Sequence, residues 1–226
     1  MRKIPDEKID LIVTDPPFAI NFNSKKSNYN RRPELVLDGY NEISRNNYLD
    51  FSMDWITQAK RILKQSGSMY IFSGWNNLKD ILIAIDNVEL QVIGHPIWKY
   101  QFGVYATKRF VSSHYHILYV CKDKSKRKFY SNSRFKNSRE RYQDLQDVWE
   151  IKREYWTGKI KPPTKLPSEL ITKILQYSSK PKDLVFDPFL GSGQVAFVAK
   201  KLHRKYCGFE IVKEYFKFAN QRLNHH

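Results

Sequence analysis

Two tracts at strand ends constrain this chain more than any other feature of it. The first, Ile9-Asp10-Leu11-Ile12-Val13-Thr14-Asp15, is a short apolar run rich in β-branched residues and halted by Pro16-Pro17. That pattern predicts a buried strand. The second, Leu184-Val185-Phe186-Asp187, runs into Pro188-Phe189-Leu190-Gly191-Ser192-Gly193. An apolar helix over 193–202, a strand over 206–211 and a last helix over 213–223 are predicted to follow. Both tracts put a carboxylate at the carboxyl end of a strand, where open α/β sheets bind their ligands.

The rest of the chain is consistent with that class. Residues 19 to 44 form a long polar loop carrying Lys25, Lys26, Arg31 and Arg32. Leu49, Met53, Ile56 and Leu63 recur at helical spacing, and Gly67 is expected to close that helix. Strands are predicted at Met69–Phe72, Leu90–Trp98 and Tyr115–Val120, and helices around 78–85 and from Pro167 onward. A basic, aromatic connection holding Lys108 and Arg109 joins the middle strands. Residues 122 to 141 hold nine basic side chains, Lys124, Lys126, Arg127 and Lys128 among them, interleaved with Phe129, Tyr130 and Phe135. With no sustained period as far as Lys161, this segment reads as one ordered in part by a partner. Strand and helix alternate almost throughout, and no internal repeat is visible. The expectation is an α/β fold with a mainly parallel sheet, in one domain over 1–226.

Composition limits the partners. Lys and Arg number 39 against 23 Asp and Glu among 226 residues, a formal net charge of +16. Such an excess points to a polyanion, nucleic acid first and an anionic membrane surface second, with a solvated Lys surface as the plain alternative. Cys121 and Cys207 are too few and too far apart for a disulfide framework or a zinc pattern, which suits a reducing compartment. No apolar run approaches about 18 residues, and residues 1 to 8 lack the apolar core of a signal peptide. A cytoplasmic location is expected.

The chemistry is expected at the strand ends. Asp15, the carbonyls freed by Pro16 and Pro17, and the ring of Phe18 together offer two acceptors and a stacking face. That set suits a planar group with an exocyclic amine, though a strand closed by a Pro-Pro turn would look the same. At the second tract, Gly191 and Gly193 let a ligand approach the backbone, and Glu210, 17 residues after Gly193, is placed for ribose hydroxyls. Phe197 stands where a dinucleotide fingerprint has its third glycine, so a smaller nucleoside cofactor is favoured over a plain βα turn. His114 and His116 share a strand face without a third ligand in sequence, and no metal is expected. Trp75 and Trp98 read as core or pocket wall, and His225 and His226 as a solvated tail.

The order Asp15-Pro16-Pro17-Phe18, then Asp187-Pro188-Phe189-Leu190-Gly191-Ser192-Gly193, resembles the β group of amino-methylating DNA methyltransferases. Val148-Trp149, Lys161-Pro162-Pro163-Thr164-Lys165-Leu166-Pro167 and Arg109-Phe110-Val111-Ser112-Ser113-His114 resemble further stretches of the same family. The resemblance covers essentially the whole chain. Phe18 stands where Tyr is commoner, and Pro162, Lys165 and Leu166 replace the usual His, Gln and Lys. Family members usually carry a longer leader with an acidic tract near the cofactor adenine. Here the first strand starts at Ile9, so that part of the pocket is expected either before this sequence or built differently.

The resemblance implies a Rossmann-like methyltransferase sheet, circularly permuted, with an inserted basic recognition segment at 123–160. It implies S-adenosylmethionine as cofactor, held by Asp187, Phe189, Gly191, Ser192, Gly193, Glu210 and Thr164. It implies adenine N6 in double-stranded DNA as the acceptor, with Asp15 and Pro16 accepting the amino hydrogens and Phe18 stacking on the flipped base. Lys25, Lys26, Arg31, Arg32, Lys108, Arg109, Lys124, Lys126, Arg127 and Lys128 would bind DNA around the pocket mouth. Cytosine N4 methylation is the first rival, disfavoured because such members more often carry Ser where Asp15 stands. A DNA-binding module without catalysis is the second. A homodimer and a cognate restriction endonuclease stay open as partners.

Overall fold

The computed structural model describes residues 1–18, 43–101, 103, 105, 107–156 and 165–224. Its strands are β1 (Ile9–Thr14), β2 (Leu63–Ser73), β3 (Gln91–Gly94), β4 (Ile97–Lys99), β5 (His114–Cys121), β6 (Val148–Glu150), β7 (Leu184–Asp187) and β8 (Lys205–Gly208). Its helices are α1 (Tyr48–Ile62), α2 (Trp75–Asn87), α3 (Ser138–Asp144), α4 (Ser168–Ser178), α5 (Gln194–Lys201) and α6 (Lys213–Asn224). The strands form one sheet in the order β6-β4-β5-β2-β1-β7-β8, with β3 also paired to β5. Only β5 runs against the rest: β1 pairs in parallel with β2 and β7, β7 with β8, and β4 with β6.

Both faces of the sheet are covered, which is why its central strands read as unbroken apolar runs. Ile12, Met69, Ile71, Leu118, Val120 and Phe186 face α1 and α2. Their strand neighbours Leu11, Val13, Tyr70, Phe72, Ile117, Tyr119 and Val185 face α4, α5 and α6. Ile9 lies on the same face as Ile12 although three positions away. The cause is a break in register, since Ile9 pairs with Leu63 but Leu11 with Ser68.

That bulge corrects one expectation. Gly67 does not cap a helix: α1 stops at Ile62, and Gly67 lies inside β2. A Cβ there would lie 2.9 Å from the Asp10 backbone oxygen and 2.7 Å from Leu63 Cδ1. The predicted strand over 90–98 is likewise two short strands, β3 and β4, broken before Ile97 at Pro96, whose carbonyl accepts from the Ile117 N–H at 2.9 Å. The described part of the segment expected to be ordered in part by a partner, residues 122–156, is ordered by the chain itself. Tyr130 N–H donates to the Tyr177 carbonyl at 2.8 Å, Phe129 stacks on Tyr177, and Trp149 is buried.

Gly67→Val should therefore destabilise the protein by about 1–3 kcal/mol through overpacking against a backbone oxygen. The midpoint of urea unfolding against wild type measures this, and an unchanged midpoint would show that the bulge relaxes freely.

Candidate active site at the β1–β7 switch point

β1 and β7 are neighbours in the sheet although their sequences stand far apart. From β1 the chain passes through α1 to β2 on one side, and from β7 through α5 to β8 on the other. The two crossovers diverge, leaving a crevice above the carboxyl ends of β1 and β7. Thr14, wholly buried at the end of β1, donates its hydroxyl to Asp187 Oδ1 at 2.9 Å. The same oxygen accepts the Phe189 N–H at 3.0 Å. Asp15 follows at once, so two carboxyls meet at the floor of the crevice.

Burial first, and the charge of Asp187 second, push the Asp15 carboxyl up to about 7. Asp15 keeps some accessible surface, but protein fills most directions around it and desolvation still dominates. Asp187 also rises to about 7, by burial, with Glu210 adding to the effect and the Phe189 and Thr14 donors opposing it. Those two donors favour the ionised form of Asp187, so Asp187 loses its proton first and its charge holds up Asp15.

The wall beside Asp15 is aromatic. The buried Phe18 ring lies 5.7 Å from Tyr115, which stacks on Trp98 at 5.6 Å. Tyr100 packs on both Tyr115 and Trp98, and the Arg153 guanidinium lies 3.9 Å over the Tyr100 ring. Trp98 donates its indole N–H to the Ile151 carbonyl at 2.8 Å. Trp98 is buried in the core, as the sequence allows, whereas Trp75, at the start of α2, is 77% exposed and belongs to neither wall nor core. His95 Nε2 and His116 Nδ1 lie 2.9 Å apart, with His114 beside them. Burial, and then the two neighbouring imidazoles, lower His116 to about 4, so it stays neutral. Among the described residues no group of three or more His, Cys, Asp or Glu is placed to hold a metal ion.

On the other side lies a glycine turn. Gly191 and Gly193 have φ of +52° and +73°, in the left-handed region that favours glycine. A Cβ on Gly191 would have no neighbour nearer than the Phe189 carbonyl oxygen at 3.8 Å, so the backbone there is open to a ligand. Gly193 differs: its Cβ would lie 2.9 Å from Ala219 Cβ, so its smallness serves the packing of α6 rather than a ligand. Glu210 accepts the Gly191 N–H and the Val212 N–H, each at 2.8 Å, which holds its carboxylate against the turn. Leu190 N–H donates to the Phe209 carbonyl at 2.8 Å, tying the two strand ends together. Phe209 and Ile211 flank Glu210 and are 43% and 80% exposed. Nothing in the sequence marks them, because an apolar residue beside a strand-end acid looks like more strand.

The remaining site residues divide. Lys108 and Arg109 are exposed on the β4–β5 connection, which leaves the sheet at the crevice end, since Lys99 pairs with His114 and His116 with Ser73. Lys124, Lys126, Arg127 and Lys128 do not flank the crevice. They follow the end of β5 that pairs with Ser68, and Lys128 N–H donates to the Ser66 carbonyl at 3.1 Å, at the amino end of the parallel strands. Arg127 is committed inward, donating to the Tyr119 hydroxyl at 2.8 Å and lying over the Phe129 ring. Among the described residues of the expected recognition segment, those from β6 to residue 156 lie toward the crevice end. Lys25, Lys26, Arg31, Arg32 and Thr164 lie outside the described residues.

Comparison with known proteins agrees with this geometry. Residues 9–221 match the DNA methylase family. The type II methyltransferase M.HinfI of Haemophilus influenzae is 32% identical over 99% of this chain and 65% of its own length. The DNA adenine methyltransferase YhdJ of Escherichia coli K12 is 30% identical over 99% of this chain and 79% of its own. The crystal structure of the M1.HpyAVI–SAM complex superposes with a TM-score of 0.67 at 26% identity, over 96% of this chain and 90% of that one.

The carboxyl pair makes stability depend on pH. Each group binds its proton more tightly when folded than its ordinary value of 3.8 implies, so its contribution is complete below about 4 and is lost as pH rises through about 7. Asp187→Asn keeps an oxygen for both donors and removes the charge. Its stability should exceed that of wild type at about pH 8 and match it at about pH 3, as read by urea unfolding at the two values. A variant less stable than wild type at both would show that the carboxylate is needed by the fold.

Proposed function

The chain belongs to the DNA methylase family, and we propose that it transfers a methyl group from S-adenosylmethionine to N6 of adenine in double-stranded DNA. The observation that carries this reading is the meeting of Asp15 and its aromatic wall with the glycine turn and Glu210 across one crevice. The adenine assignment is supported by YhdJ, itself a DNA adenine methyltransferase, and by Asp rather than Ser at position 15. The cofactor assignment is supported by M1.HpyAVI, solved with SAM bound.

The residues present fit such a cofactor. Gly191 leaves open backbone where a Cβ would stand, and Glu210 offers a carboxylate already oriented by two N–H donors. Glu210 would take the ribose hydroxyls, while Phe209 and Ile211 would flank the adenine of the cofactor. When bound, S-adenosylmethionine supplies an electrophilic methyl group on a sulfonium.

The acceptor is the harder problem, because an adenine amine is delocalised into its ring and is a poor nucleophile. The Asp15 carboxylate and the Pro16 carbonyl accept the two amino hydrogens. That draws the nitrogen toward a tetrahedral shape and localises its lone pair, and Asp15 carries off the proton released. Phe18 holds the base plane by stacking, with Tyr115 behind it. Orientation of the base and preorganised acceptors supply the rate enhancement, and no covalent link to the enzyme is needed. The base leaves the duplex to reach Asp15, at a cost of a few kcal/mol.

The decisive measurement is methylation of DNA in cells expressing the protein, read by sequencing that distinguishes modified adenine. In single turnover, Asp15→Ala should lower transfer by about 10²–10³-fold, with cofactor affinity by calorimetry unchanged. Glu210→Gln should do the reverse, weakening the cofactor while leaving DNA affinity intact. Wild-type transfer should also climb with pH through about 7 as Asp15 ionises. Near-normal turnover by Asp15→Ala would end the mechanism.

A further inference from the structure

Asp15 lies at the crevice end of the sheet beside the packed rings of Phe18, Tyr115, Trp98 and Tyr100, and the proposed reaction brings one base out of its stack to it. Extruding the target leaves a gap whose neighbours have lost a stacking partner. Proteins that disturb a base stack commonly fill such a gap with an apolar side chain. Exposed aromatic rings at the crevice end include, among the described residues, Trp75 at 77%, Tyr105 at 82% and Phe110 at 101%. Trp75 leans on the fold, its ring 6.3 Å from His116. Tyr105 carries a hydroxyl that would be stripped of water inside a stack. Phe110 is apolar, stands clear of the surface and follows Lys108 and Arg109 directly, two cations suited to the phosphates on either side of a gap.

The connection that carries Phe110 has a closed stem. Lys99 pairs with His114, and the Tyr100 N–H donates to the Ser113 carbonyl at 2.9 Å. Gly103 lies so close to the returning arm that a Cβ on it would stand 1.8 Å from the Ser112 carbonyl oxygen. The stem runs straight into β5 and Tyr115, part of the aromatic cluster beside Asp15. Phe110 stands five positions before Tyr115, a span of at most about 18 Å. A ring at the tip is thereby tethered to the wall against which the extruded base would lie.

We propose that Phe110 is a positioning residue that enters the base stack and occupies the space vacated by the extruded adenine. This rests on reading the chain as a DNA adenine methyltransferase.

The test uses the full chain, S-adenosylmethionine, and duplexes carrying the methylated site found by sequencing. In one duplex the target adenine is paired with thymine. In the other it lies opposite an abasic position, so it is already unpaired. Single-turnover transfer is measured for wild type, Phe110→Ala and Phe110→Leu. Phe110→Ala should slow transfer on the paired duplex about tenfold or more and recover toward wild type on the unpaired one, because the variant loses only help with extrusion. Phe110→Leu, which keeps an apolar wedge, should stay near wild type on both. Equal slowing of Phe110→Ala on the two duplexes, or slowing on neither, overturns the proposal while leaving the methyltransferase reading intact. A wild-type chain that methylates no DNA overturns that reading, and this one with it.

Discussion

The hydrogen bond from Thr14 to Asp187 is the interaction around which the molecule is arranged. It joins the carboxyl ends of β1 and β7, residues 173 positions apart, in a place closed to water. A buried acceptor of that kind is costly to leave unpaired, so the bond holds the two strand ends in register with each other. At the amino ends Asp10 does the equivalent, accepting the Leu184 N–H at 3.0 Å and the Lys64 ammonium at 2.6 Å. With β1 and β7 clamped at both ends, the crossovers on either side must diverge, and the crevice follows from the topology. Everything assigned to the site hangs from these two strands or from the loops directly after them.

The same clamp sets the electrostatics. Burial at the floor of the crevice raises each carboxyl to about 7, and the charge of Asp187 adds to the rise of Asp15. A fold selected only for stability would place an apolar side chain there. Retaining Asp15 beside Asp187 makes the site sensitive to protonation near neutrality and leaves an acceptor poised to take a proton from a weakly acidic amine. Glu210 adds to the rise of Asp187 from the next strand end, where its own carboxylate is satisfied by the Gly191 and Val212 N–H groups.

The basic surface is divided by the sheet. One part, on the β4–β5 connection, shares the crevice end with Asp15. Another part packs inward along α4. There Asp144 accepts from the Tyr177 hydroxyl at 2.5 Å and forms ion pairs with Arg134, whose Nε lies 2.9 Å away, and with Lys173 at 3.2 Å. Burial works to raise the Asp144 carboxyl, but these partners outweigh it and hold it below the usual range. Arg127 spends its charge on Tyr119 and Phe129 in the same way. A net charge of +16 is therefore not a map of where DNA touches. Cations that neutralise a buried acid or cover an aromatic ring look the same in a sequence as those that meet phosphate.

Local chemistry makes much of this protein legible in its residues alone. Continuous β-branched runs can only be strands covered on both faces, and Pro16-Pro17 and Gly191-Ser192-Gly193 can only end them, so both strand-end tracts and the α/β class are readable along the chain. Gly191, Glu210 and Asp15 stand out in the same way, each at a strand end where backbone or carboxylate is presented to a ligand. What the sequence leaves open depends on contacts between distant segments. Gly67 reads as a helix stop until Asp10 is placed beside it. The stretch after Cys121 looks unstructured because its order comes from Tyr177, Lys173 and Glu169, none of them near in sequence. Local propensity is a property of neighbours along the chain. Which end of the sheet a cation reaches, and whether an acid is held near neutrality, depend on strand order and burial, and those exist only once the chain has folded.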